Sequence, residues 1–405
     1  MQIEFDDGTL LLPDASEDVP YAEWDDRVDE FRAQAYRYRG LLDWAGAWDD
    51  DSDQRTLAQG FDQLIEDRVR AYPALELTPA LHIEPRDYQQ AALNAWIDHG
   101  RQGSVVLPTD SGKTFLGLQA IADAGVSALI VTPTIDLMNQ WHATLTNAFG
   151  DQLTDPIGVL GGGSHDVTTL TVTTYDSAYR YINEYGDQFG LLVVDEEHHL
   201  PAPTYQQIPE MTIAPYRLGL TATYERPDGK HDLLEELLGP VVYHENVDDL
   251  AGEYLSEYET IYMSVDLTAD ERETYDEEYQ LYRDYVDSHE FDLWKEEGYA
   301  EFLKRTSYDP QGRRALIAKQ RAERLARTAT KKLDTLDTLI KRHHDDRAII
   351  FTANNDFAYE ISQEFIVPCI THQTKTDEAL LKSLEHDRFG TLCGKYRGCT
   401  QRSAC

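Results

Sequence analysis

Between residues 81 and 246, short apolar, β-rich runs alternate with stretches of helical periodicity, and few architectures accommodate that order. The runs are Ser104–Leu107, Ala128–Val131, Leu170–Thr173, Leu191–Val194 and Arg217–Leu220, while Thr114–Ala124 and Ile135–Ala148 repeat apolar residues at helical spacing. A strand that is apolar at successive positions has to be covered on both faces. Such strands separated by helices build a parallel sheet with helices packed on each side, so the expected fold class is α/β.

The run Ser104–Leu107 leads into Pro108-Thr109-Asp110-Ser111-Gly112-Lys113-Thr114 and then a helix. A loop ending in Gly-Lys-Thr at a strand-to-helix junction turns backbone N–H groups toward phosphate oxygens. Thr109, Ser111, Gly112, Lys113 and Thr114 are therefore candidate ligands of ATP, with Lys113 reaching the terminal phosphates and the Thr114 hydroxyl on Mg²⁺. Leu107 stands where the general GxxxxGK[ST] pattern has its first glycine, and a solvated strand-helix turn is the plain alternative. Downstream, Leu191–Val194 ends in Asp195-Glu196-Glu197-His198. An acid at the tip of a buried parallel strand beside a phosphate loop is placed to hold Mg²⁺, which assigns the metal role to Asp195 and activation of water to Glu196. His198 and His199 lack a partner at zinc spacing, so His198 reads as a link to the nucleotide state.

At this point the residues resemble superfamily 2 DNA helicases, specifically the XPB-like branch found in DNA repair and transcription. Arg86-Asp87-Tyr88-Gln89 looks like the segment whose Gln contacts adenine, which makes Gln89 a nucleotide ligand by resemblance. Pro108–Thr114 is similar to motif I, Thr132-Pro133-Thr134 to motif Ia, and Thr173–Tyr179 to the Ib region. Asp195–His198 is similar to a DExH motif II, Thr221-Ala222-Thr223 to motif III, and Ile349–Thr352 to motif IV, with Ile370–Thr374 the strand-loop after it.

The resemblance implies two RecA-like lobes with ATP between them and single-stranded or forked DNA crossing both, Thr134, Thr174 and Tyr175 contacting DNA, and Thr221 and Thr223 coupling hydrolysis to it. It also implies a damage-recognition domain over 1–80, a first RecA-like lobe over 81–250, a helical thumb insertion over 251–332, and part of a second RecA-like lobe over 333–387. A repair nuclease or a transcription protein is the implied protein partner.

Three departures from the family pattern stand out. Asp110 occupies a position that is usually glycine; Asp tolerates unusual backbone angles but brings a negative charge near the triphosphate. The Arg-Glu-Asp element reads Arg226-Pro227-Asp228, keeping Arg226 and Asp228 as DNA-facing candidates. Nothing after Gln373 resembles motif V or the arginine-bearing motif VI, and an arginine finger contributes on the order of 10³–10⁵ in NTPase rate. Residues 388–405 contain four bases, three cysteines and no acid, so they read as a compositionally foreign tail on an incomplete second lobe. The competing expectation is a non-catalytic fragment that binds nucleotide and DNA without turnover.

Charge bears on how DNA is held. Acids outnumber bases 74 to 36, for a net charge of -38, and lysine supplies only 11 of the bases. In molar salt the Debye length falls to about 3 Å, so self-repulsion of that size nearly vanishes. The composition reads as halophilic, with an acidic protein of an ordinary cell as the alternative. One stretch runs against it: Arg314, Arg321, Arg324 and Lys331 fall at helical spacing within the basic segment 313–342, either as a phosphate-tracking stripe or as a solvated face balancing acidic neighbours. Four phosphate contacts would lose roughly 10⁴ in affinity between 0.15 M and 2 M salt, so stacking has to supply most of the binding. Tyr175 and Tyr179 are candidates for that, and equally for the core.

The remaining features are quieter. Val19–Asp43 mixes acids with Tyr36, Tyr38, Leu41 and Leu42 at helix-like spacing, residues 265–342 read as helical with a break at Asp309-Pro310, and Gly161-Gly162-Gly163-Ser164 reads as a flexible loop. No apolar run approaches the ~18 residues of a membrane span and the N-terminus lacks a secretion signal, so the expectation is a cytoplasmic protein with no membrane partner.

Overall fold

The computed structural model describes residues 1–46, 48, 66–70, 72–80, 84–224, 231–246, 259–289, 291, 293, 296–346, 348–371 and 389–392. The chain forms two compact units, Met1–Glu259 and Thr260–Cys405.

The first unit begins with a small sheet of β1 (Gln2–Asp6), β2 (Thr9–Leu12), β3 (Glu23–Asp25), β4 (Glu30–Gln34) and β5 (Glu66–Asp67), in the order β3-β4-β2-β1-β5. Its strands pair antiparallel except for β5, which lies parallel to β1. The helix-like spacing over Val19–Asp43 does not produce one helix. Pairing of β2 with β4 sets Leu10 opposite Ala33 and Leu12 opposite Phe31, burying Leu10 and Leu12 completely. That cross-strand burial overrides helical periodicity up to Gln34. Only α1 (Tyr38–Trp44) follows the helical pattern, burying Tyr38, Leu41 and Leu42.

The rest of the unit is a sheet of β6 (Gln102–Val106), β7 (Ala128–Thr132), β8 (Gly158–Gly161), β9 (Ser164–Asp166), β10 (Leu170–Thr174), β11 (Leu191–Asp195), β12 (Tyr216–Thr221) and β13 (Val241–His244), ordered β13-β6-β12-β11-β7-β10-β8-β9. All pair in parallel except the β8–β9 hairpin. Helices α2 (Asp87–Asp98), α3 (Lys113–Ala124), α4 (Ile135–Phe149), α5 (Tyr175–Tyr185), α6 (Gln207–Glu210) and α7 (His231–Leu238) accompany it. Strands β7, β10, β11 and β12 are buried at every position, and the polar residues this encloses, among them Thr173 and Arg217, are hydrogen-bonded to carbonyls. Each fully buried Val, Leu or Ile contributes about 1.5–3 kcal/mol, so a charge at Val193 would break the sheet at its centre. Gly161, Gly162 and Gly163 have φ of 142°, 61° and 99° and make the tight turn of the β8–β9 hairpin, where a flexible loop was expected. Glycine alone adopts three such angles in succession at low cost.

Because the strands run parallel, their carboxyl ends share one edge. The loops after β6, β7, β10, β11 and β12 all open there, which is where an α/β sheet binds ligands.

The second unit starts with α8 (Ala269–Ser288), α9 (Glu296–Thr306), α10 (Pro310–Arg327) and α11 (Thr330–Arg342). The expected break at Asp309-Pro310 is a helix start: Asp309 caps α10 and Pro310 occupies its first turn. Small residues on α10 (Gly312, Ala315, Ala318, Ala322) are buried, and a Cβ on Gly312 would sit 2.6 Å from the Tyr285 hydroxyl, so α10 and α8 pack closely. Next come β14 (Ala348–Phe351), α12 (Asn355–Phe365), β15 (Cys369–Ile370) and β16 (Phe389–Leu392), in a parallel sheet ordered β14-β16-β15. Phe389–Leu392 thus form the middle strand of this sheet, although composition assigned them to a foreign tail; residues 393–405 lie outside the described residues. Among the described residues no helix is long and apolar enough to cross a membrane.

Candidate active site

The turn after β6 is fixed from below by α2. Tyr88 Oη and Gln89 Nε2 both donate to the Ser111 carbonyl, at 2.5 and 2.8 Å, while Gln89 Oε1 accepts from the Arg86 N–H at 3.0 Å. Ser111 is buried and its hydroxyl donates to the Pro108 carbonyl at 2.7 Å. Gln89 therefore braces the loop itself.

Asp110 and Gly112 both take left-handed backbone angles, φ +64° and +83°. A Cβ on Gly112 would lie 2.5 Å from Gln89 Nε2, so the close approach of α2 requires glycine there. Gly112 is the N-cap of α3 and makes no side-chain cap hydrogen bond. The positive end of a twelve-residue helix is left for an anion. Lys113 and Thr114 are its first two residues, Thr109 is exposed on the loop, and Lys113 Nζ donates to the carbonyls of Leu107 and Pro108, each at 3.3 Å.

At the tip of β11, Asp195 is nearly buried, with Oδ2 accepting from the Trp141 indole N–H at 2.8 Å and Oδ1 from the Glu196 N–H at 3.0 Å. Burial raises its carboxyl from the ordinary range, and the Trp141 donor and the charge of Lys113 work against that rise. Glu196 has φ +52°, which turns the chain sharply off the strand. The His198 hydrogen bond lowers its carboxyl, aided by Lys113. The parallel register of β6, β12 and β11 and the 2.6 Å bond between Ser104 of β6 and Glu197 bring the two halves of the site to one sheet edge.

A polar chain then runs sideways. His198 Nδ1 lies 3.3 Å from Glu196 Oε2 and 3.2 Å from Thr221 Oγ1, and Thr221 Oγ1 donates to the Thr223 carbonyl at 3.0 Å. The residues expected to couple the site, His198, Thr221 and Thr223, are in hydrogen-bond sequence with Glu196.

Glu197 was not singled out by sequence. It is completely buried, its Oε2 pairs with the Ser104 hydroxyl at 2.6 Å, Oε1 has no partner, and burial pushes its carboxyl up to about 8. Gly219 makes the room: a Cβ there would sit 1.7 Å from Glu197 Oε2.

The other expected positions divide. Thr134 and Thr174 cap α4 and α5 at the same sheet edge, accepting from the N–H groups of Leu137 and Ser177. Tyr175 is 2% exposed, and its hydroxyl donates to the carbonyls of Asp195 and Glu196, so it supports the turn after β11 and offers no face to a base. That corrects its assignment as a DNA contact; Tyr179 is 40% exposed. Arg226 and Asp228 lie outside the described residues. In the second unit Arg314, Arg321 and Arg324 are exposed on α10, but Arg321 pairs with Glu278 and Arg324 with Asp356, each at 3.0 Å. Those pairs match the solvated-face alternative.

Among the described residues no group of three or more His, Cys, Asp or Glu could enclose a metal. A strand-tip carboxylate on the same sheet edge as a helix-start threonine suits Mg²⁺, which keeps waters and phosphate oxygens as its other ligands. An uncapped helix start, a lysine and a buried acid share one sheet edge, the arrangement that a phosphate-loop nucleotide site of the DExH kind would need.

Comparison with known proteins agrees. Residues 3–47 match the family described as the Xeroderma pigmentosum group B helicase damage recognition domain, and residues 82–226 that of the type III restriction enzyme res subunit. The chain is 35% identical to the DNA 3'-5' translocase XPB2 of Sulfurisphaera tokodaii, over 91% of its own length and 79% of that protein. It is 27% identical to the DNA 3'-5' helicase XPB of Mycobacterium tuberculosis, over 76% of its length and half of that protein. A looser likeness, TM-score 0.45 at 15% identity over 76% of this chain and 85% of the other, is to the Hef helicase domain of Pyrococcus furiosus. The chain belongs to the XPB branch of the superfamily 2 DNA helicases.

Proposed function

We propose that this chain is an ATP-dependent DNA helicase or translocase of the XPB type, acting in DNA repair or transcription. The observation that carries the reading is that the uncapped start of α3 follows β6 and the Asp195-Glu196 turn follows β11 at the same edge of one parallel sheet. Lys113 leaves its loop carbonyls to meet the terminal phosphates, and loop N–H groups with Thr109, Ser111 and Gly112 hold the remainder. Gln89 orders the loop, and its contact with adenine, implied by the family resemblance, would require its amide to exchange its bond to Arg86 or Ser111 for the base. Thr114 and Asp195 hold Mg²⁺, which when bound neutralises charge on the phosphate oxygens. Glu196, kept ionised by His198 and Lys113, accepts the proton of the attacking water. His198, Thr221 and Thr223 link Glu196 to the end of β12, and Thr134 and Thr174 lie where DNA would cross.

The acid-rich, lysine-poor composition supports a cytoplasm filled with salt. Relatives in Haloarcula marismortui and Halobacterium salinarum, 32% and 35% identical over 47% and 39% of this chain, accord with that. The partners are single-stranded or forked DNA and a repair nuclease or transcription protein.

The test is ATP hydrolysis in molar KCl with and without forked DNA. Turnover stimulated by DNA supports the motor. Nucleotide binding with turnover at background on every DNA overturns it in favour of a non-catalytic binding fragment.

A further inference from the structure

Trp141 belongs to none of the motifs, yet its side chain reaches the candidate metal ligand. It lies inside α4, 1% exposed, and its indole N–H donates to Asp195 Oδ2 at 2.8 Å. On the ring's far side is Gly117 of α3, where a Cβ would lie 2.5 Å from Trp141 Cη2. Gly117 sits four residues after Lys113, on the same face of the phosphate-loop helix. The indole is thus wedged between the helix that carries Lys113 and Thr114 and the carboxylate across from it.

The hydrogen bonds around Asp195 give that wedge a purpose. Each carboxylate oxygen already accepts one donor, Oδ2 from Trp141 and Oδ1 from the Glu196 N–H. A carboxylate offers about four lone-pair directions, so the two donors fix its rotation and leave defined directions for a cation. Without the indole, Oδ2 has no donor of this kind and the carboxylate pivots on a single bond. Phenylalanine would preserve the ring and its packing while removing only the donor.

We propose that Trp141 is a positioning residue for the hydrolysis reaction, its indole N–H setting the orientation of Asp195 and Gly117 reserving the space for the ring. This rests on the reading of Asp195 as a Mg²⁺ ligand. Partners that orient a metal ligand are typically worth 10–100-fold in metal affinity or activity.

The experiment is titration of a fluorescent ADP analogue in molar KCl, in EDTA and at graded Mg²⁺, on wild type, Trp141→Phe and Gly117→Ala. In EDTA the Trp141→Phe protein should bind the analogue like wild type. The Mg²⁺ concentration that gives half of the Mg²⁺-dependent tightening should rise about tenfold or more. Gly117→Ala, which pushes the ring from the opposite side, should shift it in the same direction. A Trp141→Phe protein with the wild-type Mg²⁺ dependence overturns the proposal. A wild type whose binding ignores Mg²⁺ overturns the site reading beneath it instead.

If the variants do not fold, ¹⁵N-labelled wild type decides. One of its six tryptophan indole N–H signals must move when Mg²⁺ is added with ADP, and that movement must be lost in Asp195→Asn. Six unmoved signals count against the proposal.

Discussion

Two residues of the site set their own terms. Asp110 holds a left-handed angle, φ +64°, at the rim of the phosphate loop, in an exposed position. Its charge opposes a triphosphate at short range, and Asp110→Gly should tighten ATP binding about fivefold near 0.15 M salt, an effect of ~1 kcal/mol. The gain should fade in molar KCl, where the Debye length is about 3 Å; isothermal titration at the two salts checks both parts. Gly219 is the second. An alanine there forces its Cβ against Glu197 Oε2, so Gly219→Ala should cost about 1–3 kcal/mol in unfolding free energy. Most of that cost should vanish when Glu197 is also truncated to Ala, because the clash is between those two groups; denaturant melts of the double-mutant cycle measure it.

At the scale of elements, the start of α8 makes a pH prediction. Glu271 closes a capping box with Thr268 and also accepts from the Thr330 N–H and hydroxyl at the start of α11. These bonds lower its carboxyl from the ordinary 4.5 to about 2. A depressed folded-state value contributes stability that is present above about pH 4.5 and lost as the pH falls toward 2. The gap in melting temperature between wild type and Glu271→Gln should therefore be widest near pH 6 and close by pH 2. A gap independent of pH would contradict this.

The elements legible in the sequence were those with one dominant cause. Strands β7 and β11 showed because nearly every residue is apolar, β6, β10 and β12 as shorter apolar runs interrupted by Ser104, Thr171, Thr173 and Arg217, and the boundary of α10 because Asp309-Pro310 breaks the helical stretch. The N-terminal strands did not show, since their acids obscure the alternation and Leu10 and Leu12 acquire meaning only opposite Ala33 and Phe31. The β8–β9 hairpin was hidden behind its glycines. In the site, the loop and strand-tip acids were visible as local patterns. Trp141 and Glu197 were not, because their partners lie 54 and 93 residues away in the chain, and for Tyr175 the sequence left stacking and core open until its bond to the Asp195 carbonyl, 20 residues away, decided for the core.

Across the whole molecule, a net charge of -38 and a DNA motor are compatible only if DNA is held by more than charge. The exposed arginines of α10 are already partly paired with acids, and such pairs contribute little at high salt. In the proposed function the first unit's sheet edge organises the chemistry, with the phosphate loop after β6 and the Asp195–His198 turn after β11 on parallel strands of one sheet. The measurement that tests this most directly compares ATP binding and ATP turnover in Glu196→Gln and wild type, in molar KCl. The account predicts unchanged ATP affinity with turnover reduced by about 10²–10⁴, the contribution of a general base. Turnover equal to wild type would contradict it.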